Sequence, residues 1–219
     1  MKYKAILFDC DGVLVDSEAI TCGVLRDMLE ASGWSMTLQE CMDYFIGKTV
    51  RSEAAVIEQR TGQPLTEAWM QRFFEQRNQA LREGLQIIPG ARSAVQAAHA
   101  VTAGRIACAS GADRYKVEMM LAQVGLMQFF DGRVFSGHEV PRSKPAPDVY
   151  LAAAAHLQVP GDQCLVIEDT PVGTTAGVAA GATVWAYCPL PTAADRLRMA
   201  GAGRLFASMD ELASLLAPP

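Results

Sequence analysis

Asp9 and Asp11 flank Cys10 at the end of a short apolar run, directly before Gly12, a residue that permits a tight turn. Two carboxylates this close repel one another unless a cation lies between them or one carries a proton. The spacing suits a hard-metal site, and magnesium prefers oxygen ligands. Asp-x-Asp-Gly is also an ordinary turn sequence, so the fragment alone leaves both readings open. Three other places bear on the choice. Glu168-Asp169 closes a second apolar run, 165–167, and acids at two strand ends of one sheet can converge on one cation. Ser110 closes a third run and is followed by Gly111, so a hydroxyl and a backbone N–H face the same edge just before a helix start, a setting that suits phosphate oxygens. Lys144 precedes Pro145-Ala146-Pro147 in a stiff loop and can offer its ammonium to developing negative charge.

The elements that must position these groups are legible as alternating patterns. Short apolar runs at 4–8, 105–110, 133–135, 164–167 and 182–186 read as buried strands. Helical patterns lie between or after them, at 91–103, 113–124, 148–157 and 171–180, with Pro171 suited to a first turn. This alternation indicates an α/β fold: a Rossmann-like, doubly wound parallel sheet. In such a sheet the ligand lies beyond the carboxyl ends of the strands. One stretch breaks the pattern: 19–32, 38–45, 52–61 and 66–84 read as helices with no strand among them. The expected organisation is a catalytic core of 1–16 and 86–219, with an inserted all-helical cap of 17–85 over the active site. Segments 12–17 and 84–89 would be its hinges, and Pro218-Pro219 a frayed end.

Composition narrows the partners. Half of the 219 residues are hydrophobic and 20% are charged, an ordinary globular balance with room for one core and a small second domain. A formal net charge of -5 disfavours nucleic acid, whose backbone is bound by surplus Lys and Arg. Before Asp9 only four apolar residues follow Lys4, too short for a signal-peptide core. No stretch approaches the roughly 20 apolar residues that span a bilayer. The expectation is a cytoplasmic protein, with no membrane partner, acting on small molecules. Cys10, Cys22, Cys41, Cys108, Cys164 and Cys188 are scattered without C-x-x-C spacing, which reads as reduced structural thiols rather than a zinc site.

The ordered set Phe8-Asp9-Cys10-Asp11-Gly12-Val13-Leu14-Val15-Asp16-Ser17, Ala109-Ser110-Gly111, Ser143-Lys144-Pro145-Ala146-Pro147-Asp148 and Ile167-Glu168-Asp169-Thr170-Pro171-Val172-Gly173 resembles the four motifs of the haloacid dehalogenase superfamily. The resemblance covers almost the whole chain. It runs to the branch with a helical cap, which includes β-phosphoglucomutase, phosphoglycolate phosphatase and sugar-phosphate phosphatases. It implies that Asp9 attacks phosphorus to form an aspartyl-phosphate, and that Asp11 protonates the leaving oxygen and then deprotonates the hydrolytic water. It further implies magnesium (Mg2+) held by the Asp9 side chain, the Asp11 backbone carbonyl and Asp169, with Glu168 nearby. Ser110, the Gly111 amide and Lys144 would hold the phosphoryl oxygens. An acid at Asp11 favours phosphate esters over dehalogenation or phosphonate cleavage, since halide leaves without a proton.

Specificity is expected in the cap. Gly47-Lys48-Thr49-Val50-Arg51 resembles the mutase segment whose arginine meets a second phosphate, and Arg77-Asn78 falls where that enzyme has a Lys-Asn pair. Arg51 and Arg77 are thus substrate-binding candidates for an anionic far end, with solvated helix-face charges as the other reading. The mutase cap carries a histidine where this chain has Thr21, and His99, His138 and His156 all lie in the core, so hydrolysis ranks above isomerisation. A catalytically silent binding protein on the same fold is the remaining alternative, and retention of Asp9, Asp11 and Lys144 speaks against it. A self-contained core suggests a monomer.

Overall fold

The computed structural model describes residues 3–216, so the Pro218-Pro219 end lies outside the described residues. The strands are β1 (Ala5–Phe8), β2 (Val15–Asp16), β3 (Gln86–Ile87), β4 (Ile106–Ser110), β5 (Val134–Ser136), β6 (Cys164–Glu168), β7 (Thr183–Tyr187) and β8 (Arg204–Phe206). Contact between Cα atoms divides the chain into two compact units, Met1–Val15 with Ile87–Pro219, and Asp16–Gln86. The short strands β2 and β3 pair where the chain crosses from one unit to the other.

The larger unit holds a six-stranded sheet in the order β5-β4-β1-β6-β7-β8, parallel at every pairing. This is the α/β, Rossmann-like architecture. All four residues of β1 and all five of β4 and β6 are buried, as expected of strands covered on both faces by crossover helices. β1 lies between β4 and β6, with Phe8 opposite both Cys108 and Ile167. The chain winds outward on one side, through β4 to β5, and then on the other, from β6 to β8. Such a reversal in strand order opens a crevice at the carboxyl ends, which here means the loops after Phe8, Ser110 and Glu168. β8 has no counterpart among the expected strands: it is a three-residue edge with an exposed Arg204 and one buried residue, Phe206, too brief for an alternating pattern to register.

The smaller unit is built from α1 (Glu18–Ala31), α2 (Leu38–Phe45), α3 (Ala54–Thr61) and α4 (Glu67–Gly84), with a 3-10 turn over Val50–Glu53. Helix starts are marked chemically. Thr37 and Glu40 form a reciprocal capping box on α2, and the Thr66 hydroxyl accepts from the Trp69 N–H at the start of α4. Their apolar faces meet in a core of Cys22, Leu25, Leu29, Cys41, Phe45, Ile57, Met70 and Phe73.

The larger unit's helices are α5 (Ala91–Val101), α6 (Arg114–Gln123), α7 (Met127–Phe130), α8 (Asp148–His156), α9 (Pro171–Ala179), α10 (Ala194–Met199) and α11 (Met209–Leu216). Val149, Tyr150, Ala153 and Ala154 of α8 and Ala176 of α9 join Leu7, Ala107, Ala109 and Val166 in one core. All six cysteines are free and buried. Among the described residues no helix is long and apolar enough to cross a membrane.

Candidate active site

Three parallel strand ends bring together residues up to 160 positions apart. Asp9 follows β1, Ser110 ends β4, and Glu168 ends β6 with Asp169 after it. Lys144 enters from the loop preceding α8. Its ammonium donates to Asp9 Oδ1 at 2.6 Å, Glu168 Oε1 at 2.7 Å and the Tyr150 hydroxyl at 2.8 Å. The Tyr150 hydroxyl in turn donates to Glu168 Oε1 at 2.8 Å. Side-chain exposure is 8% for Lys144, 10% for Asp9 and 1% for Glu168, so the ion pairs are shielded from water and their attraction is only weakly screened.

Glu168 and Asp9 share one lysine but differ in support. The other oxygen of Glu168, Oε2, accepts from the Asp169 and Thr170 N–H groups and from the Thr170 hydroxyl, at 3.0–3.1 Å. Burial would raise its pKa, but the Lys144 charge and these donors hold it below the usual glutamate value. The Glu168 carboxylate also lies against the N-terminus of α9, capped by Thr170 and begun by Pro171. A Cβ on Gly173 would stand 1.6 Å from Glu168 Oε1, so only glycine lets the helix approach the acid this closely. Asp9 is pushed up to about 7. Burial is the main cause, Lys144 pulls the other way, and Glu168 and Asp11 push it further up. Burial disfavours an ammonium too, yet Asp9 and Glu168 together raise the pKa of Lys144 well above its usual value, so it stays charged.

Oxygens of Asp9, Glu168 and Asp169 lie within 4.8 Å of one another. Gly12 allows this: its φ is +74°, and a Cβ there would stand 2.1 Å from Asp169 Oδ2. The Asp11 carboxylate is turned to another partner, Lys116, whose Nζ lies 2.5 Å from Oδ1; the Ser110 hydroxyl is 3.5 Å from Oδ2. Ser110 Oγ accepts from the Ala112 N–H at 3.0 Å, which fixes the Ser110–Ala112 loop. The Ser136 hydroxyl braces the same loop from β5 by donating to the Ala112 carbonyl at 2.7 Å. Four carboxylates thus face two ammoniums, and the donor set is all oxygen. A hard divalent cation fits both the charge excess and the ligand chemistry.

The larger unit therefore gathers Asp9, Asp11, Ser110, Lys144, Glu168 and Asp169, and Gly111 lies in the loop that follows Ser110. Sequence reasoning did not single out Lys116, Tyr150 or Ser136. Lys116 and Tyr150 are each the third residue of a helix that starts at the crevice, and nothing in the sequence separates either from a surface residue of a first helical turn. Arg51 and Arg77 belong to the smaller unit. Arg51 pairs with Glu67 through two bonds of 2.5 and 2.6 Å, on an exposed surface. Arg77 is not a solvated helix-face charge. It is buried, because it falls on the apolar stripe of α4 between Phe73 and Leu81. Its guanidinium donates to Asn78 Oδ1 at 2.8 and 3.0 Å and lies 4.8 Å from the centre of the Phe74 ring.

A family model described as haloacid dehalogenase-like hydrolase matches residues 3–181, which include every residue of this cluster. The chain belongs to that family. It is a hydrolase with phosphatases among its relatives. It is 26% identical over 191 residues to 6-phosphogluconate phosphatase of Escherichia coli, covering 87% of this chain and 85% of that protein. It is 30% identical to fructose-1-phosphate phosphatase of the same organism, covering 82% and 94%. Among solved structures, a haloacid dehalogenase-like protein of Agrobacterium tumefaciens is 29% identical with a TM-score of 0.81, over 98% of this chain and 97% of that one. A family hydrolase of Deinococcus radiodurans, solved with bound phosphate and sodium, is 32% identical with a TM-score of 0.76, over 100% and 99%.

Proposed function

We propose that this chain is a magnesium-dependent phosphatase that hydrolyses a small phosphate monoester, a sugar or organic-acid phosphate, through an aspartyl-phosphate on Asp9. The observation that carries the reading is the Asp9–Lys144–Glu168 cluster at the carboxyl end of β1, with Asp169 beside it and a second acid two residues after Asp9. The named relatives, phosphatases of 6-phosphogluconate and fructose 1-phosphate, support the substrate class.

In the first half-reaction an Asp9 carboxylate oxygen attacks phosphorus opposite the ester oxygen. The P–O bond to the alcohol breaks, and the departing oxygen takes its proton from the Asp11 carboxyl. In the second, Asp11, now ionised, accepts a proton from water as the water oxygen bonds to phosphorus, and the bond to Asp9 breaks. Inorganic phosphate and free Asp9 result, and Asp11 is again protonated. Lys144 orients Asp9 and meets the negative charge on the phosphoryl oxygens, while the Ser110 hydroxyl and the Gly111 N–H hold those oxygens. Asp9, Asp169 and the Asp11 backbone carbonyl would hold the magnesium, with Glu168 fixing Lys144. When bound, the metal supplies positive charge that screens carboxylate from phosphoryl oxygen.

The test is release of inorganic phosphate from a panel of sugar monophosphates and phosphosugar acids, with EDTA and Asp9→Asn as controls. Magnesium-dependent release that disappears with both controls is expected. Release that persists in Asp9→Asn would sink the mechanism.

A further inference from the structure

Lys116 occupies a position that two local rules disfavour. It is the third residue of α6, in the first turn, where the helix dipole repels a cation. Its side chain is only 7% exposed, which strips an ammonium of its hydration. The fold nevertheless holds it there firmly. Asp113 caps α6 by accepting from the Lys116 N–H at 2.9 Å, and the next residue on the helix, Val117, is wholly buried together with Met120 and Leu121. What the placement achieves is a contact: Nζ lies 2.5 Å from Asp11 Oδ1, while the other Asp11 oxygen faces Ser110 Oγ. A residue placed against both dipole and hydration is expected where function compensates for the local cost.

We propose that Lys116 is the positioning residue for Asp11: its buried ammonium fixes the direction in which the Asp11 carboxyl group presents itself to the leaving oxygen. The role rests on the phosphatase reading above, in which Asp11 moves the proton. It involves no contact between Lys116 and the substrate. Asp11 immediately precedes the turn at Gly12 and its carboxylate is 20% exposed, so without a tether it has several rotamers available. A misplacement of about 1 Å at a reacting group can cost up to ~100-fold in rate.

The test compares Lys116→Met in the full chain on two kinds of ester. One is fructose 1-phosphate or 6-phosphogluconate, whichever the wild type hydrolyses, whose alkoxide needs a proton to leave. The other is p-nitrophenyl phosphate, whose leaving group departs without one. In this two-step mechanism kcat/KM reports the step in which the leaving group departs. The expected result is a fall of about 10–100-fold with the sugar ester and less than about 3-fold with the aryl ester. A merely structural lysine would depress both equally. Asp11→Asn and the double variant complete the cycle: a residue acting through Asp11 adds nothing once Asp11 is gone. Lys116→Gln is the second variant should the methionine protein fail to fold. Equal losses on both esters, an undiminished sugar-ester rate, or losses that add to those of Asp11→Asn would each overturn the proposal. Silence of the wild type on every ester would instead bring down the phosphatase reading itself.

Discussion

Replacing Asp9 by asparagine should stabilise the metal-free protein. An ordinary aspartate titrates near 3.8, whereas Asp9 is pushed up to about 7, chiefly by burial. At ~1.4 kcal/mol per pH unit, keeping Asp9 ionised in the folded state costs about 4 kcal/mol once the pH exceeds 7. Relaxation around a buried charge reduces such penalties, so Asp9→Asn is expected to gain about 1–3 kcal/mol. Asparagine keeps the shape and still accepts from Lys144 through Oδ1. For a chain of this length each kcal/mol shifts Tm by about 2–4 °C, so the melting transition of the larger unit should rise by about 2–12 °C in EDTA at pH 8. The sign with pH follows from proton counts. Between 3.8 and 7 the folded state holds a proton that the unfolded state has lost, so the stability of the wild type falls as pH rises through that window and is flat above it. The variant lacks this dependence, so the gap at pH 5 should be less than half its value at pH 8. Added magnesium should raise the Tm of the wild type and move the variant much less. Thermal melts of both proteins at the two pH values, with EDTA and with magnesium, supply the check. A variant no more stable than the wild type in EDTA at pH 8, or a gap independent of pH, would refute the claim that Asp9 is held ionised at a cost.

Gly12→Ala should weaken magnesium dependence far more than folding, because its Cβ would stand 2.1 Å from Asp169 Oδ2 and displace that carboxylate; a magnesium titration of phosphate release should show a half-saturating concentration raised by at least about 10-fold, as with other losses of ligand support. Tyr150→Phe keeps the buried ring and removes the hydroxyl that joins Lys144 to Glu168, so chemical denaturation should show a loss of about 1–2 kcal/mol. Thiol labelling of the native protein at pH 8 should be slow, since all six cysteines are buried, and should reach all six on denaturation. Burial pushes the Cys164 thiol up to about 11, so the peptide found by mass spectrometry to contain Cys164 should not be the first labelled.

The legible part of the site is the part that lies at strand ends. Asp9, Ser110 and Glu168 each close a run of wholly buried residues, so a burial signal and a polar residue coincide at a fixed place in the sheet. β1, β4 and β6 could be read because both their faces are covered, and β5 and β7 because their apolar runs are continuous though partly exposed; β8 could not, since one exposed arginine and one buried phenylalanine over three residues make no pattern. Lys116 and Tyr150 were illegible for another reason. Their roles depend on the angle at which α6 and α8 leave the crevice, and a lysine or tyrosine in the first turn of an amphipathic helix has no mark in the sequence that separates it from a surface residue. Arg77 shows the same difficulty from the other side: it lies four residues from both Phe73 and Leu81, a spacing visible in advance, yet an arginine on an apolar stripe reads as a solvated charge until the burial of that stripe is seen.

The arrangement of charge would let acids at adjoining strand ends take different tasks in the proposed reaction. Glu168 is saturated: Lys144, Tyr150, two backbone N–H groups and a hydroxyl occupy both its oxygens. A carboxylate so satisfied is a poor nucleophile and a reluctant metal ligand, and its ionised state is held below the usual range. Asp9 has one firm donor, Lys144, and its carboxylate is disfavoured by burial and by the acids around it. It is therefore the group with the most to gain from a cation or from forming a bond to phosphorus, either of which removes the uncompensated charge. Asp11 is set apart from both by Lys116, which holds its carboxylate beside Ser110 rather than in the Asp9–Glu168–Asp169 cluster. In the proposed reaction the two lysines would thus sort similar carboxylates into an anchor, a nucleophile and a proton carrier, and no difference in residue type would be needed between Asp9 and Asp11 for the chemistry to divide between them.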